Sequence, residues 1–227
     1  MEIKVQEYKF DNCVSLSQRY QYYLGEDGKH VRHGIFESWH PNGKKDNESN
    51  WEHGRFHGKL TVWRNDGSLS QMGDYKEGRE DGLWQFWHVN SKLMARVLME
   101  NGRPKEGDYY SPDGKQISSV KNGAGRSVFF NDEGKIRIEE IWKEGKVERR
   151  ACWYSNGQLR TKEEFSAGEL LVTGEYFSPS GKKLSEVLDG NGVSSEAVEI
   201  ESSDGIKFSY LQAPCLNGAL QPSKWSD

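Results

Sequence analysis

The fold is decided by two similar stretches, HGIFESWHPNG at residues 33–43 and HGKLTVWRNDG at residues 57–67. Each stretch starts with a His-Gly pair, passes through a segment that ends near a tryptophan, and closes on an Asn-Gly or Asp-Gly pair. These closing pairs supply the positive φ angles that tight hairpin turns require. The two stretches start 24 residues apart. We therefore predict a repeat whose unit is a β-hairpin.

The same unit recurs along most of the chain, and two turn anchors mark it. The first anchor ends at positions spaced by 20 to 24 residues, namely Gly43, Gly67, Ser91, Gly114, Gly134, Gly157, Gly181 and a further candidate at Asp204–Gly205. The second anchor ends at glycines spaced by 21 to 24 residues, namely Gly54, Gly78, Gly102, Gly123, Gly145, Gly168 and Gly190. Runs of roughly six to nine residues between anchors have strand length. The spacing predicts an all-β, elongated antiparallel β-meander of about seven hairpin repeats of roughly 23 residues.

The ends of such a repeat need capping segments, because each hairpin otherwise buries only the face that meets its neighbour. We predict an N-terminal cap at residues 1–33, a repeat sheet at 34–190, and a C-terminal cap with an acidic tail at 191–227. In the last segment Val198, Ile200, Ile206 and Phe208 are expected to lie in strands that finish the sheet. The stretch from Pro214 onward is expected to be a loose tail.

An aromatic ring stands four residues before the last residue of each first anchor except the further candidate at Asp204–Gly205. The rings are Trp39, Trp63, Trp87, Tyr110, Phe130, Trp153 and Phe177. Side chains alternate along a strand, so these rings share a face with mostly polar residues. The opposite face carries Leu60, Trp84 and Tyr109 and is the predicted core. Two interpretations of the rings stay open: cross-strand stacking of Trp39, Trp63 and Trp87, or a surface that binds a partner.

Composition narrows the classes of function. The net charge of −4 and pI near 5.9 disfavour nucleic acid, whose phosphates attract basic surfaces. With 34% hydrophobic residues and a mean hydropathy of −0.89, the chain has no transmembrane segment in its sequence. The N-terminus shows no signal peptide, and the three cysteines, Cys13, Cys152 and Cys215, are far apart and odd in number. We therefore expect reduced thiols and a cytoplasmic location.

The stretches at residues 33–44, 57–67 and 81–87 resemble MORN-type repeats, and most closely the bacterial variant of that repeat. The resemblance covers about residues 34–190. Lys105, Glu148 and Val172 stand where the first glycine of the unit is expected, which leaves the local strand register open at these three points.

The resemblance implies particular functions. Proteins with this variant are similar to the YwqK-like antitoxins of toxin–antitoxin pairs, or to immunity proteins that neutralise secreted effectors, phospholipases among them. Related eukaryotic repeats are associated with lipid binding and scaffolding. No active-site residue is shared by the family, so the resemblance implies no catalysis.

The sequence thus predicts a non-enzymatic binding protein, with no cofactor, whose partner is a cognate toxin or secreted effector; a membrane-associated or scaffolding protein is the alternative. The predicted partner-binding residues are the rings of the first units and their polar neighbours. They are Trp39, Trp63, Trp87, Tyr110, Arg64, His40 and His88. No metal or catalytic residue is predicted, because the histidines flank turns and no zinc-finger spacing or nucleophile motif occurs.

Overall fold

The computed structural model describes residues 2–11, 15–202, 205–220 and 224–226, with the backbone alone described over 196–211 and 224–226. The chain forms two compact units, residues 1–117 and 118–227. The described part of the chain consists of strands and the turns that connect them, and it contains no helix. The predicted all-β class is confirmed.

The first unit is built from the strands β1 (Lys4–Lys9), β2 (Leu16–Leu24), β3 (His30–Trp39), β4 (Lys45–Glu52), β5 (Arg55–Trp63), β6 (Leu69–Lys76), β7 (Arg79–Glu80), β8 (Gly82–Trp87), β9 (Leu93–Glu100) and β10 (Arg103–Tyr110). Strand β11 (Gln116–Lys121) lies across the boundary between the units. The second unit continues with β12 (Ala124–Phe130), β13 (Ile136–Lys143), β14 (Lys146–Trp153), β15 (Leu159–Phe165), β16 (Leu171–Phe177), β17 (Lys183–Leu188), β18 (Asn191–Ser202), β19 (Gly205–Leu216), β20 (Ala219–Leu220) and β21 (Lys224–Ser226).

Within each unit the strands pair antiparallel with their sequence neighbours. In the first unit β1 pairs β2, β2 pairs β3, and the order continues to β9 and β10. Strand β6 pairs both β7 and β8, which are two segments of one strand interrupted at Asp81. In the second unit the order runs from β11 to β19, and β19 also pairs β20 and β21. The predicted antiparallel meander is confirmed in both units.

The second-anchor turns are two-residue turns with both residues at positive φ. In the turn between β9 and β10, Asn101 has φ 53° and Gly102 has φ 80°. This is the type I′ geometry, whose twist matches that of the flanking strands. One predicted anchor is wrong in detail: between β15 and β16 the positive φ, 62°, belongs to Glu169 and not to Gly168. That turn is longer, since Ser166 N–H donates to Leu170 O and Glu169 N–H donates to Ser166 O.

The first-anchor turns have a different geometry, with one residue at positive φ. Between β3 and β4, Gly43 has φ 81°, and its N–H donates to His40 O at 2.9 Å. His40 N–H donates to Lys44 O at 2.8 Å, which closes a three-residue loop. The strand register shifts by one residue beside this loop, between Ser38 and Trp39. A type I turn followed by a left-handed residue and a bulge has this pattern.

Turns of successive repeats are hydrogen-bonded to the backbone of the neighbouring repeat. These bonds connect the repeats at the ends of their strands. Gly54 N–H donates to Arg32 O at 2.8 Å, Gly78 N–H to Phe56 O at 2.8 Å, and Gly102 N–H to Glu80 O at 2.7 Å. In the second unit Gly145 N–H donates to Gly123 O at 2.9 Å. Each of these backbone donors would otherwise have to find water, so the stacking of repeats also satisfies the turns.

The sites without the first glycine are bulges. The partners of β10, β14 and β16 skip one residue at Lys105, Glu148 and Val172, respectively. The register that the sequence left open at these points therefore shifts by one residue. The single extra residue restores the alternation that places the following residues on their predicted face.

The C-terminal segment differs in part from its prediction. Strands β18 and β19 hold Val198, Ile200, Ile206 and Phe208, as predicted. Asn217 and Gly218, at φ 51° and 79°, form a further type I′ turn, so residues 214–220 lie in strands and a turn and not in a loose tail. Gly218 N–H donates to Gly190 O. The candidate turn residue Asp204 lies outside the described residues, and the predicted division into caps and repeat sheet stays a prediction.

The predicted core face is the buried face. Leu60, Trp84 and Tyr109 are at most 5% exposed in the first unit. In the second unit Tyr176 packs with Leu171, Val187, Cys215 and the partly buried Phe165. Trp84 packs against Gly73 of β6, where an added Cβ atom would lie under 3.0 Å from three ring atoms of Trp84. The core of each unit is therefore made of side chains from neighbouring strands that pack along one face of a sheet.

Candidate functional site

The predicted ring surface lies on one face of the first unit, and we call it the tryptophan face: Trp39, Trp63, Trp87 and Tyr110 with the residues beside them. All four rings are partly exposed at the ends of β3, β5, β8 and β10. The tryptophans stand on alternate strands, about 10 Å apart. Among the side chains that the structure describes, no ring contact joins the three tryptophans, so the interpretation as cross-strand stacking is wrong.

Trp39 packs instead against a charged cluster. The Arg19 guanidinium and the Lys45 ammonium each lie 5.9 Å from the centre of its ring. Both cations bind Glu37, at 2.9 Å from Arg19 Nε and 2.7 Å from Lys45 Nζ. Burial acts to raise the pKa of Glu37, but the hydrogen bonds from Lys45 and Arg19 hold this pKa below its usual value. The cluster fixes the ring at this end of the face.

Exposed aliphatic side chains share this face. Ile35 is 46% exposed, Leu83 is 40% exposed and Leu98 is 41% exposed. Leu83 and Leu98 are directly opposite each other on β8 and β9. The elements that pack on these strands are mainly their sheet neighbours, so the apolar side chains face outward beside the rings. The tryptophan face is thus an apolar surface with charged residues at its edge.

The three polar residues predicted to bind a partner have structural bonds. His40 Nε2 lies 3.0 Å from Trp63 O, Arg64 Nη2 donates to Trp87 O at 2.6 Å, and His88 Nε2 lies 2.9 Å from Tyr110 O. A carbonyl oxygen only accepts, so the two histidines carry a proton on Nε2. Each side chain holds the backbone of the next ring.

His88 is 3% exposed and therefore buried, whereas His40 and Arg64 are partly exposed. The structure thus places the four rings on the tryptophan face, and each of the three polar residues, which directly follow a ring, bonds the backbone of the ring in the next repeat. Their role in partner binding stays a prediction. Each of the three polar residues directly follows a ring in the sequence. This shared position in the repeat was the signal from which their common bond to the backbone of the next ring could have been predicted.

The opposite face of the first unit carries a second aromatic feature, which we call the stacked-ring row: Trp51, Phe56, Tyr75 and Trp84. The ring centres lie 3.9 Å apart for Trp51 and Phe56, 4.9 Å for Phe56 and Tyr75, and 5.1 Å for Tyr75 and Trp84. These residues come from β4, β5, β6 and β8. The sequence places Trp51 and Tyr75 at the same repeat position, but the contacts depend on strand register.

Two charged residues flank the stacked-ring row. The Arg32 guanidinium lies 4.7 Å from the centre of the Trp51 ring and also over the rings of Phe36 and Tyr20, at 5.0 and 5.4 Å. At the other side Glu80 is paired with Tyr75 across the strands, and burial raises the pKa of the Glu80 carboxyl. Burial and the nearby Glu80 also raise the pKa of Tyr75.

Three further features were considered among the described residues: a metal site, reactive thiols and a membrane-spanning helix. No group of three or more His, Cys, Asp or Glu among them is arranged to hold a metal. Cys152 and Cys215 are free thiols whose pKa values are raised by burial, and Cys13 lies outside the described residues. In the described part of the chain there is no helix with the length and apolar character needed to cross a membrane.

Comparisons with known proteins bear on the repeat. Two solved structures of a TcdB2–TccC3 assembly align with this chain at 9% and 8% identity, over 92% and 99% of it, with TM-scores of 0.23 and 0.24. The chain spans 13% and 16% of those chains, and scores this low carry no inference about fold or function. A comparison with curated proteins finds no match. The family model described as MORN repeat variant matches residues 32–53, and this match supports a protein built from MORN-type repeats.

Proposed function

We propose that this chain is a non-enzymatic binding protein, an antitoxin or immunity protein that neutralises a cognate bacterial toxin or secreted effector through the tryptophan face. One observation carries the proposal. Partly exposed rings at Trp39, Trp63 and Trp87 lie beside the exposed Ile35 and Leu83 on one face of the sheet of the first unit. Apolar surfaces with tryptophan anchors are typical of protein interfaces.

The bonds between repeats support tight binding by a surface of this kind. The backbone at Trp63 and Trp87 is held by His40 and Arg64 from the preceding repeat. A surface already ordered before association loses little conformational entropy when it binds. We therefore expect a complex in which the partner docks on a rigid face, and in which neutralisation comes from blocking the partner's own site.

The partner and its class can be identified together. Each reading frame beside the gene for this chain is expressed alone and then with the chain, in the cytoplasm of a bacterial host. We expect one neighbour to be toxic alone and harmless when co-expressed. If no neighbour is toxic and the chain sediments with anionic vesicles at physiological salt, the proposal is overturned in favour of the membrane-associated alternative.

The binding face is tested by Trp63→Ala and Trp87→Ala. We expect either change to weaken partner binding about 30-fold, the loss typical of a central tryptophan anchor worth about 2 kcal/mol. Trp153→Ala removes a ring at the same repeat position in the second unit and serves as the matched control. Circular dichroism checks that each variant is folded. Unchanged affinity in both folded variants would exclude the tryptophan face as the site.

A further inference from the structure

The stacked-ring row has an unpaired positive charge at one side. Arg32 is partly buried among the rings of Tyr20, Phe36 and Trp51, and among the described residues no ion pair or side-chain hydrogen bond engages its guanidinium. The rings hold the guanidinium in place through cation–π contacts. Its N–H donors are therefore oriented and available to an external carboxylate, the acceptor that matches their geometry.

An unpaired negative charge lies at the other side of the row. Glu80 is partly buried next to Tyr75, and no base among the described residues pairs with its carboxylate. Burial without a partner disfavours the charged form of a carboxyl group, in agreement with the direction of the shift in its pKa. A cation supplied from outside would remove that penalty.

The spacing of the two charges sets the length of a ligand that could meet both. Arg32 lies on β3 and Glu80 on β7, and Trp51, Phe56 and Tyr75 come from the three strands between them. Four strand spacings amount to about 19 Å. An extended polypeptide rises by about 3.3 Å per residue, so about six residues cover this distance.

We propose that the stacked-ring row binds an extended polypeptide segment that carries an acidic and a basic residue six positions apart. The acidic side chain pairs with Arg32 and the basic one with Glu80. Residues two apart on an extended chain point to the same side. The second and fourth of the five ligand residues between its acidic and basic residues therefore face Trp51, Phe56 and Tyr75. We expect these two ligand residues to be apolar. This surface lies opposite the tryptophan face, and the proposal does not require that the partner be a toxin.

The probe is a fluorescein-labelled peptide, acetyl-Thr-Glu-Thr-Leu-Thr-Leu-Thr-Lys-Thr-amide, whose binding to the full chain is followed by fluorescence anisotropy. Two control peptides carry Glu at both charged positions or Lys at both. We expect the matched peptide to bind at least about tenfold more tightly than either control, because each control places a like charge against Arg32 or Glu80. Equal affinity for all three peptides would overturn the proposal.

Variants of the protein separate recognition from folding. We expect Arg32→Gln and Glu80→Gln each to weaken the matched peptide about tenfold or more, the effect of losing one charged hydrogen-bonded pair. Arg55→Gln, at the start of β5, and Glu77→Gln, in the turn before β7, remove exposed charges of the same signs and are the matched controls, with unchanged affinity expected.

Glu80→Gln has a second readout, its urea midpoint. An unpaired, partly buried carboxylate destabilises the free protein, so this variant should unfold at a higher urea concentration while it loses peptide affinity. If Glu80 had a purely structural role, Glu80→Gln would lower the urea midpoint and leave the peptide affinity unchanged. A lower midpoint with unchanged affinity would therefore refute the role of Glu80, even if Arg32→Gln failed to fold.

Discussion

Gly73→Ala is the change that tests most directly how the core face of the first unit is packed. A Cβ atom built at Gly73 would lie under 3.0 Å from three ring atoms of Trp84, with Cγ at 2.6 Å. Ordinary carbon contacts lie near 3.5 to 4.0 Å, so the indole would have to move by about 1 Å. Trp84 is 1% exposed, so the atoms of its neighbours surround the indole.

The cost follows from what holds the indole. Trp84 Nε1 donates to Asp74 O at 3.0 Å, and the ring packs edge-on against Tyr75 and stacks on Phe86 at 5.9 Å. Losing the hydrogen bond costs about 1 kcal/mol, and each aromatic pair contributes about 0.5 to 1.5 kcal/mol. We expect Gly73→Ala to lower the free energy of unfolding by about 2 to 4 kcal/mol.

The assay is urea unfolding followed by far-UV circular dichroism, with two further variants. Gly168→Ala is the matched control, because Gly168 has ordinary φ and its nearest neighbour, Ser166 Oγ, is 3.7 Å from the added atom. In a Trp84→Ala background the clash is absent, so the same Gly73→Ala change should then cost less than about 1 kcal/mol. A Gly73→Ala variant within about 0.5 kcal/mol of the original protein, or an equal cost in both backgrounds, would refute the packing described.

Two other predictions concern a turn and an ion cluster. Glu144 has φ 53° in a type I′ turn, a conformation that asparagine adopts more readily than glutamate. Glu144→Asn should therefore raise the free energy of unfolding by about 0.5 to 1 kcal/mol. Glu133→Asn is the control and should change this free energy little, because Glu133 does not have a positive φ. The pKa of Glu37 is lowered in the folded protein, so the stability it contributes is present above its unfolded pKa of about 4.3 and is lost as the pH falls through the folded value. Glu37→Gln should therefore lower the free energy of unfolding at pH 7 by about 1 to 3 kcal/mol. Between pH 5 and pH 3 the urea midpoint of the variant should fall less than that of the original protein. Equal falls would contradict the stabilising role of the Glu37 carboxylate.

The candidate site was predictable in its residues and not in their contacts. Alternation along β3, β5 and β8 places Trp39, Trp63 and Trp87 on one face, and the structure agrees. Whether rings on different strands touch depends on the strands between them, which sequence spacing does not show. The tryptophans stand two strands apart and do not meet, whereas Trp51 and Phe56 stand on adjacent strands and pack at 3.9 Å.

The sequence by itself determined the positions of most turns up to residue 190 and, with them, the hairpin meander. Positive φ is a property of one or two residues, so Asn101–Gly102 or Asn42–Gly43 specifies a turn regardless of what lies elsewhere. The tertiary structure alone decided which side chains meet, among them Arg32 with three rings and His88 with Tyr110 O. These contacts join residues of different strands, and a one-residue bulge such as that at Lys105 changes which residues face each other.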